Sequence, residues 1–474
     1  MPTPLMLGQR AVVLGASLAG LLAARVLSER FAEVVLLERD ELPQHAAARK
    51  GTPHATHPHG LLARGREVLE ALYPGMTSSL VARGGLLGDL QREIAFDVAH
   101  RRLARGDAGV QGIAVSRLAI EAEVRLRTLA LPGVRLIDGV DIQSPAHGAG
   151  EQIVAARYAT RGDDRREERL AADFVIDCTG RGSRTPAWLA GWGYAPPKEE
   201  KVDVGICYTS AYFKRSGAFE FGKGIDVAAV ICAASPELPR PAVLLAQESD
   251  ANGVARWVIG VGGYAGDHVA ATIEAMRERA VTIGSPEILR LTHEAEQLGD
   301  IIRYTFPSSL RRRYERLSRF PSRYLALGDA LTSFNPIYGQ GMTVAACEAL
   351  ALQEALSGGL DGLHRRFFRA AAKIIDTPWQ LAVGGDLAIP TVPGPRPFPV
   401  RLVNAYIARL QRVASSDALV SRAFLKVVHM LEPPSSLFSP AVLWRVLTGT
   451  TTAPGSPAHR SGKPVDPRDA WVRS

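Results

Sequence analysis

Two rhythms of apolar residues run along the chain. RAVVLGASLAG opens with a short β-branched run, turns at Gly15 and continues as LAGLLAARVLSER, where apolar residues return every three to four positions. EVVLLERD follows as a second short strand. Together they make a β-α-β unit of about thirty residues, which calls for a parallel sheet. SRLAIEAEVRLRTLA reads as an amphipathic helix capped by Ser116, with Glu121 and Arg125 at i,i+4 spacing. VRLIDGVDIQSP, EQIVAARYAT and ADFVIDCTG read as further strands. From about Val202 to Val261 apolar and polar residues alternate, as in KVDVGICYTSAYFKR and ARWVIGVGG, and this predicts an antiparallel sheet. A helix is expected near Ala270–Thr282. RYLALGD returns to the parallel pattern, with a glycine-rich turn and the helix Met342–Leu356 behind it. After Thr377 the pattern is helical, and 451–474 has the composition of a disordered tail.

At 474 residues the chain is too long for one ordinary core, so two or three domains with a cleft between them are expected. An apolar fraction of 46% and a charged fraction of 22% exclude a membrane-embedded or disordered chain. The net charge of +8 comes from arginines spread along the sequence, which does not suggest nucleic-acid binding. Cys178, Cys207, Cys232 and Cys347 form no Cys-x-x-Cys pair, so reduced thiols are expected. Gly15, Ser17 and Gly20 interrupt the apolar stretch Ala11–Leu27, and no other stretch is long enough to span a membrane. A cytoplasmic protein is the simplest expectation.

Chemistry first appears in the residues Gly15, Ala16, Ser17, Leu18, Ala19 and Gly20. Gly15 permits a tight strand-to-helix turn, Gly20 lets helix pack on strand, and the helix N-terminus offers free N–H groups to a pyrophosphate. Ser17 stands where a second glycine is usual. Glu38 closes the second strand, twenty-three residues after Gly15, where a carboxylate can accept the hydroxyls of an adenosine ribose. NAD and FAD share that half, and the segment YLALGDALTSFNPIYGQGMTVAACEAL separates them. There Asp329 ends a buried strand within reach of a ribityl hydroxyl. Asn335, Pro336, Gly339 and Gly341 shape a loop feeding a helix that starts near Met342, and its N-terminus can stabilise negative charge on a reduced flavin.

With both motifs in hand, the chain resembles the flavoprotein monooxygenases of the para-hydroxybenzoate hydroxylase superfamily over about residues 10–390. The resemblance implies an α/β fold in which a Rossmann-like FAD-binding domain, with a mostly parallel sheet, interleaves with an antiparallel-sheet substrate domain. Residues 1–80, 110–200 and 300–377 would form the first and 81–109 with 201–299 the second, followed by a helical region at 378–450. RKGTPHATHPHGLLARG, DFVIDCTGRGSR, GDALTSFNPIYGQGM and DTPWQLA look closer still to the polyether-pathway epoxidases that act on polyenes, those of monensin and lasalocid. Thr179 precedes Gly180 where the superfamily has an Asp-Gly pair, and Thr56-His57-Pro58-His59 stands where the epoxidases show Arg-His-Ala-His. Trp192 matches only a fragment of the flavin-halogenase Trp-x-Trp-x-Ile-Pro pattern.

By this resemblance FAD is the cofactor, NAD(P)H the electron donor, directly or through a separate flavin reductase, and O2 the co-substrate. Reduced flavin would form a hydroperoxide that epoxidises or hydroxylates a bulky apolar intermediate, free or tethered to a carrier protein. Arg39, Arg49, Lys50, Arg117 and Gly180 join the expected cofactor contacts, and Tyr208, Tyr338 and Trp257 the pocket wall. No general acid or base is assigned. His54, His57 and His59 lack the carboxylate or cysteine partners of a metal site and read as a loop lining the flavin. A reductase of the prenyl-reductase kind and a non-catalytic flavoprotein that binds a lipophilic partner are the competing readings.

Overall fold

The computed structural model describes residues 5–148, 150–162, 165–215 and 227–449; the expected tail at 451–474 lies outside them. The β-branched runs build a parallel sheet in the order Tyr324–Ala326, Phe174–Asp177, Gly8–Leu14, Phe31–Leu37, Val134–Ile137. Register aligns the strands' carboxyl ends: Leu14 lies beside Asp177 and Leu37, and Asp177 beside Ala326. The turns after these strands therefore collect at one edge, the place where open α/β sheets bind ligands. Helices Leu18–Leu27, Arg117–Leu129 and Gly341–Leu356 bury their apolar faces in the same core. Ser116 caps the second of these by accepting the Ala119 N–H.

An eight-stranded sheet forms the second layer, in the order Thr332–Ser333, Gln297–Arg312, Glu199–Lys214, Arg256–Gly263, Ala242–Gln247, Ala229–Ala233, Ile94–Val98, Arg101–Arg102. Its neighbours pair antiparallel except Ala229–Ala233 with Ile94–Val98, which run parallel. The sheet passes the boundary expected at residue 300, because the strand Gln297–Arg312 continues to Arg312. Its exposed, charged first half hides the alternation that would mark it as a strand. The boundary expected at 377 also moves, since helix Leu363–Ala388 runs unbroken through Pro378. Burial of Phe367, Phe368, Ala371 and Ile375 before the proline, and of Trp379, Ala382 and Leu387 after it, outweighs the hydrogen bond that proline forfeits. Helices Phe398–Ala414, Ala418–Val428 and Pro440–Thr448 pack on Phe96, Val98 and Leu103 of the larger sheet's far end.

Candidate active site

At the carboxyl edge of the parallel sheet, Gly15 turns the chain with φ +96° and hugs the next strand's turn. A Cβ there would come within 2.7 Å of the Cys178 carbonyl oxygen. Any side chain on Gly20 would run into the Gly15 carbonyl, so helix Leu18–Leu27 can lie on its strand only as built. Among the described residues no protein acceptor takes the N–H groups of Leu18, Ala19 and Gly20, and the helix has no side-chain cap. Glu38 is buried, accepts the Ala16 N–H at 2.7 Å and also takes the N–H groups of Arg39 and Asp40.

Facing that helix end is a charged cluster. Glu121 accepts from Ser17 Oγ at 2.8 Å and from Arg49 Nη2 at 3.1 Å, and lies 3.6 Å from Arg117. It thus turns away from Arg125, its expected i,i+4 partner, whose guanidinium instead donates to the Pro43 and His45 carbonyls. Arg117 also bonds Ser17 Oγ and His54, while its buried Nε has no partner among the described residues. Arg39 and Lys50 extend into solvent and are not brought to this cluster.

The second motif closes on the first. Gly328, at φ +72°, would place a Cβ 2.7 Å from Ala19 Cβ, so the turn after strand Tyr324–Ala326 touches the start of the first helix. Asp329 follows. Gly180, at φ +78°, lies beside it, a Cβ there sitting 3.9 Å from Asp329 Cβ, and one on Gly341 would sit 4.0 Å from its Oδ1. Burial pushes the Asp329 carboxyl up, while Arg117 and Arg181 pull it down. Pro336 and Gly339 flank Tyr338 in the loop before helix Gly341–Leu356, where Met342 is buried.

Beside this loop lies a cavity of about 1040 Å³. His59 and Leu62 of the histidine loop, Tyr208, Ile231 and Gly260 of the large sheet, and Tyr338 line it together with helices Leu363–Ala388 and Phe398–Ala414. Trp257 does not line it, contrary to expectation. With side chains alternating along Arg256–Gly263, Trp257 shares a face with Ile259 and Val261 and is buried beneath Met276 and Leu291, while Gly260 and Gly262 face the cavity. Trp192 likewise lies elsewhere, packed on His147 and Tyr324.

His54, His57 and His59 gather with Tyr208 and Tyr304, ring centroids 4.8 to 5.8 Å apart. His57 Nδ1 pairs with Ser210 Oγ at 2.8 Å. Burial lowers all three, His54 to about 2 with help from Arg117, His57 to about 4 and His59 to about 3, so all are neutral at physiological pH. Among the described residues no group of three His, Cys, Asp or Glu side chains is arranged to hold a metal ion.

Sequence reading missed Asp386. It is fully buried in helix Leu363–Ala388, and its Oδ1 accepts from Tyr264 at 2.8 Å, Asn335 Nδ2 at 2.9 Å and Tyr338 at 3.0 Å. Only the clustering of Gly384 and Gly385 before it hints at a close approach, and a Cβ on Gly385 would meet Tyr338 Oη at 2.5 Å.

These residues fit a flavin dinucleotide. A Cβ on Gly15, Gly20 or Gly328 would collide with its neighbours, the helix N–H groups without an acceptor and the Arg117 Nε without a partner among the described residues suit an anion, and Glu38 and Asp329 both follow strands at the carboxyl edge of the parallel sheet. No family model matches the chain. Protein Rv3254 of Mycobacterium tuberculosis (strain ATCC 25618 / H37Rv) is 32% identical over 434 residues, 89% of this chain and 90% of that protein. Among solved structures, a flavoprotein/dehydrogenase from Cytophaga hutchinsonii aligns with a TM-score of 0.61 at 15% identity, over 89% of this chain and 92% of that one. PqsL from Pseudomonas aeruginosa, a probable FAD-dependent monooxygenase, aligns with a TM-score of 0.58 at 18% identity, over 80% and 97%. The mixed α/β fold, with its parallel sheet, antiparallel sheet and C-terminal helices, is the fold of these flavoproteins.

Proposed function

The chain belongs to the family of Protein Rv3254, and we propose that it is an FAD-dependent monooxygenase that epoxidises or hydroxylates a bulky apolar natural-product intermediate. One observation carries this reading: an apolar cavity of about 1040 Å³ opens on the Pro336–Tyr338 loop, whose following helix begins beside Asp329 and the glycine cradle.

In this reading the N-terminus of helix Leu18–Leu27, with Arg49 and Arg117, holds the pyrophosphate, and Glu38 holds the adenosine ribose. Asp329 holds the ribityl chain. The N-terminus of helix Gly341–Leu356 would offer its positive end to the bound flavin. When bound, FAD supplies two-electron reduction by NAD(P)H, directly or through a separate reductase, and the transfer of oxygen from O2. The chain's own work is to orient the substrate and keep it dry: aliphatic side chains dominate the cavity, and the neutral histidine loop adds no charge to it. The cavity also has room for a chain delivered on a carrier protein.

The test is oxygen consumption by the FAD-loaded protein with NADPH and a polyene, using 18O2. Label in the product supports the monooxygenase. Substrate reduced or desaturated without label would replace it with a reductase or dehydrogenase, and a bound flavin that turns nothing over would leave a ligand-binding flavoprotein.

A further inference from the structure

The floor of the cavity carries a polar feature that an apolar substrate alone does not need. When ionised, Asp386 can only accept, and Tyr264, Asn335 and Tyr338 converge on its Oδ1. The Tyr338 hydroxyl therefore spends its single proton on Asp386. Its oxygen keeps its acceptor capacity in the notch left by Gly385, and both Tyr338 and Gly385 line the cavity. Two residues on, Gln340 also lines the cavity, although its Oε1, which has no donor among the described residues, is shielded within the protein. Tyr338 thus brings an acceptor to the wall of a mostly apolar chamber whose other polar lining includes Arg313, Arg396, Arg401 and Asn404, and an acceptor left unpaired there costs free energy that a ligand's donor recovers.

We propose that Tyr338, locked as a donor to Asp386, is a specificity-determining residue that reads a hydroxyl on the substrate. The cavity then takes a lipophilic alcohol and discriminates against the same skeleton without the O–H. Sites built to bond a hydroxyl reject analogues lacking it far more strongly than apolar pockets reject an extra methylene. Asp386 is the positioning residue, since it fixes which way the Tyr338 proton points. This rests on the cavity being the substrate site, as proposed above.

Calorimetric titration of the purified FAD-loaded protein with farnesol and with farnesyl methyl ether separates the two claims. We expect farnesol to bind at least tenfold more tightly than the ether. Tyr338→Phe should erase that ratio. Tyr264→Phe, which removes a different donor from the same carboxylate oxygen and does not line the cavity, should keep it; a ratio lost equally in both variants would overturn the assignment to Tyr338. Equal binding of the two ligands to the wild type, or a preference that survives Tyr338→Phe, would overturn the inference and leave the cavity reading intact. Failure of both ligands to bind would overturn the cavity reading itself, and this inference with it.

Discussion

Burial lifts the Asp386 carboxyl from 3.8 to about 6, so at neutral pH its ionisation costs about 3 kcal/mol of stability at 1.36 kcal/mol per pKa unit. The sign follows from linkage: the folded protein holds this proton more tightly, so the contribution of Asp386 to stability falls as pH rises from about 4 through 6 and is flat above. Asp386→Asn keeps an acceptor for the three donors and removes the charge. We expect its thermal midpoint to exceed the wild type's at pH 8, with the gain fading toward pH 4; a midpoint below the wild type's throughout would refute this account. Glu38 acts at the same scale. Its carboxylate ties the Ala16 N–H to the end of strand Phe31–Leu37, so Glu38→Ala should weaken FAD binding tenfold or more in a fluorescence titration while the chain still folds.

Between elements, the decisive contact is Gly328 on Ala19, which joins the two halves of the cradle. Gly328→Ala combines a left-handed backbone with a Cβ 2.7 Å from its neighbour. We expect it to lower the thermal midpoint by several degrees, the effect of about 1–3 kcal/mol, and to abolish FAD uptake; unchanged FAD affinity would show that the two motifs act separately. Both motifs were legible in the sequence because each is local: a strand, a glycine turn and a helix lie within one stretch, and the periodicity names them. Asp386 was not legible, since its partners stand 48 to 122 positions away and no local pattern joins them. The alternation that put Trp257 on one face was equally readable. Helices cover that face and the cavity lies on the other, so alternation alone could not say which side holds the ligand.

Across the whole molecule, the cavity exists because three units meet: the large sheet, the histidine loop with the Pro336–Tyr338 loop, and the C-terminal helices. Helix Phe398–Ala414 lends Val400 and Ile407 to the cavity wall without touching the glycine cradle. Val400→Trp should therefore weaken a ligand of farnesol's size at least tenfold and leave FAD affinity within twofold; equal loss of both would mean the two sites are not separable. Among the described residues no helix is long and apolar enough to cross a membrane.

The central claim is that the glycine cradle between Gly15 and Gly341 holds FAD. Titrating the purified, flavin-free chain with FAD, followed by flavin fluorescence and the visible spectrum, tests it most directly. We expect one FAD per chain, with quenched fluorescence and shifted flavin bands, and Gly328→Ala should bind none. A chain that leaves FAD free in solution while its circular dichroism shows it folded would contradict the account.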